Sequence, residues 1–189
     1  MWTVARVLLT LLLLATPASA NEAVWKLLRA GGHVVMIRHA TTTPGVGDPP
    51  GFRLEDCATQ RNLSEEGRRE ATDLGAAFKA HGIPVAAVLS SRWCRCLETA
   101  HLAFGLATPW PILDSQFHDA SRADAQAAAL KERIAAHRGP GNLVLVTHGA
   151  NIRNWTGVHP AQGEALVLTP GGATGFRMTG RLAPAELRP

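Results

Sequence analysis

The chain has 189 residues, 46% of them hydrophobic and 18% charged, with 19 lysines and arginines against 15 acids and a formal net charge of +4. That length suits one α/β domain, which runs to roughly 100 to 200 residues and can bury its own core. So slight an excess of positive charge, with no Lys/Arg run, excludes an extended nucleic-acid surface and favours a local anion site.

In chain order, Met1 to Ala20 carries one early Arg6, a leucine-rich centre from Val7 to Ala15 and the small-residue ending Ala18-Ser19-Ala20. It reads as a secretory signal peptide over 1–20, cleaved to leave a domain over 21–189. The apolar run is short of the roughly 20 residues that a spanning helix needs, and no later stretch is apolar enough to span. Asn21 to Ala30 is a short helical lead-in. The run "HVVMI" from His33, flanked by Gly31-Gly32 and a Pro/Gly-rich stretch, is a buried strand, and "TTTPGVGDPPG" after it is a loop. Within that loop Gly45-Val46-Gly47 lacks the third glycine of a nucleotide fingerprint and reads as punctuation.

Ser64, followed by Glu65, Glu66 and Gly67, starts a helix, since serine caps free amides and acids suit the positive end of the dipole. Ala71, Leu74, Ala77 and Phe78 mark its apolar face, and His81-Gly82 its stop. A second strand runs from Val85 to Ser91. Helices follow at "RWCRCLETAHLAF" and "AQAAALKERIAAH", a third strand at Asn142 to His148, and two closing strands at "EALVLTP" and "GFRMTG". Strands alternating with helices predict a single three-layer α/β domain, a mostly parallel sheet with helices on both faces. Ligands of such sheets lie at the carboxyl ends of the strands.

Cys57, Cys94 and Cys96 all follow the leader, so they meet an oxidising compartment. Side chains two apart on a helix point to different faces, so only one of Cys94 and Cys96 pairs with Cys57. A structural zinc is the competing use of three thiols, but there is no C-x-x-C pair to support it.

Three strands end in polar groups at one sheet edge: Arg38-His39, then Ser90-Ser91 leading to Arg95, then His148-Gly149. A lone histidine or arginine there is ordinarily structural or solvated. Two imidazoles and two guanidiniums at equivalent strand ends fit a tetrahedral dianion, because guanidiniums match phosphate oxygens with forked donors and a neutral imidazole attacks phosphorus. A second, protonated histidine stabilises the equatorial oxygens in flight, and no metal is called for.

With these residues in hand, the chain resembles the histidine phosphatase superfamily, on the branch shared with phosphoglycerate mutases. The resemblance rests on "RHA", "LSEEGRREA", "SSRWCRCLETA" and "VTHG" in that order, from His33 to about Pro170. It implies that His39 forms a phosphohistidine, that Arg38 and Arg95 bind the phosphoryl oxygens, and that His148 is the second histidine. Ser91 and Thr42 would line the phosphate pocket, and Arg92 would stand at its rim. Ala40 replaces the glycine of the Arg-His-Gly form. The general acid, a glutamate shortly after a Leu-Asn pair in many members, is missing at Leu113-Asp114-Ser115-Gln116; Asp119 is the nearest replacement, with Asp114 and Glu164 as others. The Asp that follows the second histidine in the other branch is Gly149 here, and His118-Asp119 copies that pair only superficially, in a helix-entry loop. Gln60, Arg61 and Asn62 reach the substrate or form a turn network. No G-x-S-x-G surrounds Ser90 or Ser91, which line the pocket or cap the next helix. Trp93, Trp110 and Trp155 are core or pocket wall.

The expected function is therefore an exported phosphomonoesterase without cofactor or metal. Its partner would be a phosphorylated small molecule or envelope sugar, such as a heptose phosphate of lipopolysaccharide, and neither nucleic acid nor a membrane span is expected. A mutase and a phosphohistidine-protein phosphatase are the alternatives within this chemistry. A phosphate-binding module without turnover is the alternative outside it.

Overall fold

The computed structural model describes residues 17–117, 119–171 and 175–188. The expected leader lies mostly outside these residues. Its last four residues open helix α1 (Pro17–Ala30), so the expected boundary after Ala20 falls inside that helix.

Six strands form one sheet: β1 (Val34–Arg38), β2 (Val85–Ser90), β3 (Thr108–Pro109), β4 (Asn142–Thr147), β5 (Ala165–Pro170) and β6 (Phe176–Leu182), in the order β3-β2-β4-β1-β5-β6. The pairings β1 with β4, β4 with β2 and β2 with β3 are parallel. β5 runs antiparallel to both β1 and β6, so it is the single reversed strand of the sheet. The mostly parallel sheet read from the sequence is thus observed.

Alternation along the strands divides the core in two. Val35, Ile37, Val144, Val146 and Val167 face α1, α2 (Glu65–Ala80) and α3 (Cys94–Phe104), where they meet Trp25, Leu28, Leu74, Phe78, Cys96 and Ala100. Val34, Met36, Leu143, Leu145 and Leu168 face α4 (Ala123–Ala135) and α5 (Gly149–Thr156), where they meet Leu130, Ile134 and Ile152. Because both faces are covered, β1 and β4 read as unbroken apolar runs rather than alternating ones.

The cap of α2 forms as expected, with the Ser64 hydroxyl accepting from the Gly67 amide. α3 begins two residues later than the sequence suggests. Its N-cap residue, Trp93, offers no side-chain hydrogen bond, and the free Cys94 amide donates to Gln60 Oε1 instead. β3 and α5 were not foreseen. The first is two residues long and ends in proline, and the second is a two-turn helix lacking a conventional N-cap side chain.

The loop between β1 and α2 returns to its own start through a bridge between Thr42 and Leu63. A disulfide between Cys57 and Cys94, with Cα atoms 5.6 Å apart, ties it to the start of α3. Cys96 points inward as the free, buried thiol, 3.6 Å from His148 Nε2, and burial pushes it up to about 12. A thiol with so high a pKa is inert.

Candidate active site

The carboxyl ends of β1, β2 and β4 open into a cavity of about 470 Å3. Arg38, His39, Arg95 and His148 all line it, together with Arg61. The strand-end convergence expected from the sequence is therefore present in space.

His39 is buried, and its Nδ1 lies 2.9 Å from the Ala40 carbonyl oxygen. A carbonyl only accepts, so Nδ1 carries the proton and Nε2 keeps its lone pair. Burial first, and the Arg95 charge second, lower the His39 pKa to about 3 against the opposing pull of the Ala40 carbonyl. The ring is thus a neutral base with one nucleophilic nitrogen throughout the neutral range. This shift also bears on stability. Above about pH 6.5 neither folded nor unfolded His39 is protonated; as pH falls, the unfolded ring takes up a proton that the folded one refuses, so stability declines until the folded ring titrates near pH 3. The decline attributable to His39 is at most about 1.4 kcal/mol per pH unit. Urea midpoints measured from pH 7 to pH 4.5 should fall more steeply for the wild type than for His39→Gln, and parallel curves would contradict the burial of an uncharged ring.

His148 stands across from His39 with ring centroids 5.6 Å apart and an interplanar angle of 66°. Arg95 Nη2 lies 3.5 Å from its Nδ1, and Ser91 Oγ lies 2.8 Å from its Nε2. Arginine only donates, which makes Nδ1 the acceptor and Nε2 the protonated nitrogen. Trp93 packs edge-on against the ring, with centroids 5.4 Å apart.

Arg95 is held from behind by Asp48, whose side chain is wholly buried: Nη1 donates to Oδ1 at 2.7 Å and Nη2 to Oδ2 at 3.3 Å. The same carboxylate accepts from the Arg61 amide at 2.9 Å and from Trp93 Nε1 at 2.9 Å. Burial pushes the Asp48 carboxyl up, but these donors outweigh it and hold it below the usual carboxylate range. Arg61 is fixed in turn by the Gly47 carbonyl, the Thr42 hydroxyl and the Gly45 carbonyl. Arg38 Nη1 donates to the Pro160 carbonyl at 2.8 Å. Burial and the neighbouring guanidiniums lower the pKa of both Arg38 and Arg61, as expected of crowded cations that lack a full set of counter-charges. Arg38 Nε and Arg95 Nε are buried without a hydrogen-bond partner among the described residues. Buried donors in native proteins are nearly always satisfied, and an oxyanion is the partner that guanidiniums lining a cavity accept best.

Gly149 and Ala150 also line the cavity and open α5, where amides have no intrahelical acceptor. The glycine after His148 has a steric reason: a Cβ there would stand 3.1 Å from Arg38 Nε.

The remaining sequence assignments sit elsewhere. Ser91 lies behind His148, and Thr42 behind Arg61; neither lines the cavity, and each orients a residue that does. Asp119 is exposed and off the cavity lining, with the Ser121 hydroxyl and amide holding its carboxyl below the usual range. Asp114 is bound by Arg92, and Glu164 by Arg181 and the Ala161 amide. No carboxylate, among the described residues, lines the cavity. His118 lies outside the described residues. Residues that sequence reasoning passed over include Asp48, the Gly45-Val46-Gly47 turn, and Arg153 and His159 of the lining. Arg153 follows Gly149 by four residues, a spacing that would have signalled a shared helix face had α5 been foreseen.

Comparison with known proteins agrees with this geometry. The family model described as histidine phosphatase superfamily (branch 1) matches residues 34–119. No curated protein matches the sequence. Among solved structures, the protein histidine phosphatase SixA, complexed with tungstate, aligns with a TM-score of 0.58 at 15% identity, covering 82% of this chain and 99% of that one. A mycobacterial glucosyl-3-phosphoglycerate phosphatase aligns with 0.56 at 16% identity over 78% and 97% of the two chains. A phosphoserine phosphatase mutant from Entamoeba histolytica, complexed with phosphoserine, aligns with 0.60 at 13% identity over 82% and 98%. These identities speak to the fold, while the family match covers the strand and helix that carry His39 and Arg95. Over residues 34–119, which carry His39 and Arg95, the chain matches the histidine phosphatase superfamily, branch 1, the phosphatases that use a histidine nucleophile.

Proposed function

We propose that this phosphatase is exported and hydrolyses phosphomonoesters through a phosphohistidine on His39, with envelope sugar phosphates such as lipopolysaccharide heptose phosphate as its substrate class. One observation carries the chemistry: an imidazole whose Nδ1 is committed to a backbone carbonyl stands, with its other nitrogen unprotonated, in a cavity lined by three fixed guanidiniums. Nε2 attacks phosphorus as the bond to the leaving oxygen breaks. The charge that builds on the equatorial oxygens meets Arg38, Arg61 and Arg95, and His148 stands behind the Arg95 guanidinium and orients it. Water then attacks the phosphohistidine, the N–P bond breaks, and inorganic phosphate leaves with the imidazole neutral again. The Ala40 carbonyl, accepting from Nδ1, favours the positive ring of the intermediate.

Export is supported by the leader composition and by a disulfide beside the site, since such bonds persist in oxidising compartments. The reading is tested by release of inorganic phosphate, in EDTA, from p-nitrophenyl phosphate and from heptose phosphates. Phosphate binding without turnover of any ester would instead identify a binding module.

With no carboxylate among the described residues on the cavity wall, the proton for the leaving oxygen comes from solvent, and turnover should fall steeply as the leaving group becomes more basic. Asp119→Asn is accordingly expected to change kcat on an alkyl phosphate by no more than about twofold, the scale of a surface substitution. A loss of tenfold or more, confined to poor leaving groups, would show that the 117–121 loop turns inward and that Asp119 is the acid.

A further inference from the structure

The outer half of the cavity has a charge pattern that phosphoryl transfer alone does not use. Gly149, Ala150, Arg153 and Asn154 all line it, at positions i, i+1, i+4 and i+5 of α5, so one face of this helix forms a continuous wall. At its inner end Gly149 packs on Arg38, the phosphoryl-binding guanidinium. Arg153 sits one turn further out, about 6 Å along the axis. His159 joins it from the turn after α5. That turn is pinned to the same arginine, because the Pro160 carbonyl accepts from Arg38 Nη1 and the Gly163 amide donates to the Arg38 and His39 carbonyls. Neither the Arg153 guanidinium nor the His159 ring has a hydrogen bond or ion pair among the described residues. Both are exposed at the mouth, and no described carboxylate on the lining offsets them.

Resting on the phosphatase reading above, we propose that Arg153 and His159 form a second anion subsite, which selects phosphomonoesters whose alcohol portion carries a further acidic group, a carboxylate or a second phosphate. The inner arginines take the phosphoryl group that is transferred. The outer pair takes a fixed charge on the part that departs, about one helical turn away, a distance that the carbon chain of a sugar acid phosphate spans. A guanidinium offers the forked donors suited to either acid. Asn154 beside Arg153 and Gln162 beside Thr42 supply amides for the hydroxyls between the two ends.

The matched probes are gluconate 6-phosphate and glucitol 6-phosphate, which differ only in a carboxylate at the far end. The wild type should hydrolyse the gluconate ester with a kcat/KM about 5- to 30-fold higher, as one partly exposed ionic contact from Arg153 and a hydrogen bond from His159 to the carboxylate imply. Arg153→Gln should cut that ratio about threefold or more, and Arg153→Gln/His159→Gln should bring it close to one. The preference should also shrink as salt rises from 20 to 300 mM, because the Arg153 guanidinium faces solvent. Equal kcat/KM for the two probes in the wild type, or a ratio that the double substitution leaves unchanged, overturns the subsite while the phosphatase reading stands. To separate the two readings further, both probes are titrated calorimetrically into His39→Ala. Tighter binding of the gluconate ester, lost on adding Arg153→Gln, supports the subsite even if no ester is turned over; equal binding overturns it.

Discussion

Replacing His39 by alanine is expected to lower kcat on p-nitrophenyl phosphate by at least about 10⁴-fold, the scale of losing a nucleophile that works as one unit with its surroundings. The expectation follows from the tautomer. With Nδ1 bound to the Ala40 carbonyl, Nε2 is the nitrogen left to bond phosphorus; of the other imidazoles on the lining, His148 accepts from Arg95 at Nδ1 and donates to Ser91 from Nε2, and His159 stands at the exposed mouth. The three guanidiniums are untouched by the substitution, so inorganic phosphate should bind the variant with a Kd within about tenfold of the wild type. Rapid quench into alkaline denaturant during turnover of a labelled ester should trap an alkali-stable, acid-labile phosphoprotein in the wild type and none in His39→Ala. Residual turnover above a hundredth of the wild-type rate would mean that water attacks the ester directly.

Removing the Arg95 side chain should cost both activity and stability, by separable routes. Its guanidinium lines the cavity beside His148, and loss of one such donor lowers kcat/KM by about 10²- to 10³-fold. Behind it, Asp48 is left as a wholly buried carboxylate without its counter-charge. Breaking a buried pair from one side destabilises by about 3 to 5 kcal/mol, and the Arg61 amide and Trp93 Nε1 that still reach Asp48 place the expected value at the lower end. Adding Asp48→Asn removes the stranded charge while keeping an acceptor for those donors. The double variant should therefore regain most of the urea midpoint and none of the activity. If it regained neither, Asp48 would be supporting the loop by something other than its charge.

Much of this architecture was legible in the sequence because the buried strands announce themselves. β1 and β4 are short apolar runs with abrupt polar ends, and those ends are where Arg38, His39 and His148 stand. Ser64 with its following acids marked α2 equally clearly. What stayed hidden has a common physical cause. Asp48 and the glycines before it occupy a Pro/Gly-rich loop without periodicity, so nothing local reveals that the loop folds back beneath Arg95 across a separation of 47 residues. α5 is too short for its apolar spacing to register, and with it Arg153 went unplaced. The position of Asp119 was equally beyond reach, since proximity to a motif along the chain does not fix which way an exposed loop turns.

The Cys57–Cys94 bond closes a ring across a sequence separation of 37 residues, and inside that ring lies Arg61, while Asp48 stands just outside it on the same loop. Gln60, one turn from Cys57, accepts at its Oε1 from the amide of Cys94, so the crosslink and the polar contact fasten the same corner. Closing a ring of this size removes about 4 kcal/mol of freedom from the unfolded chain in the loop-entropy account. The crosslink therefore fastens the loop that carries Arg61 and Asp48 to the start of α3, and reducing it would free that loop while leaving Arg38 on β1 and Arg95 on α3. Enzyme assayed with a strong thiol reductant would accordingly report on a molecule whose Arg61 loop is untethered.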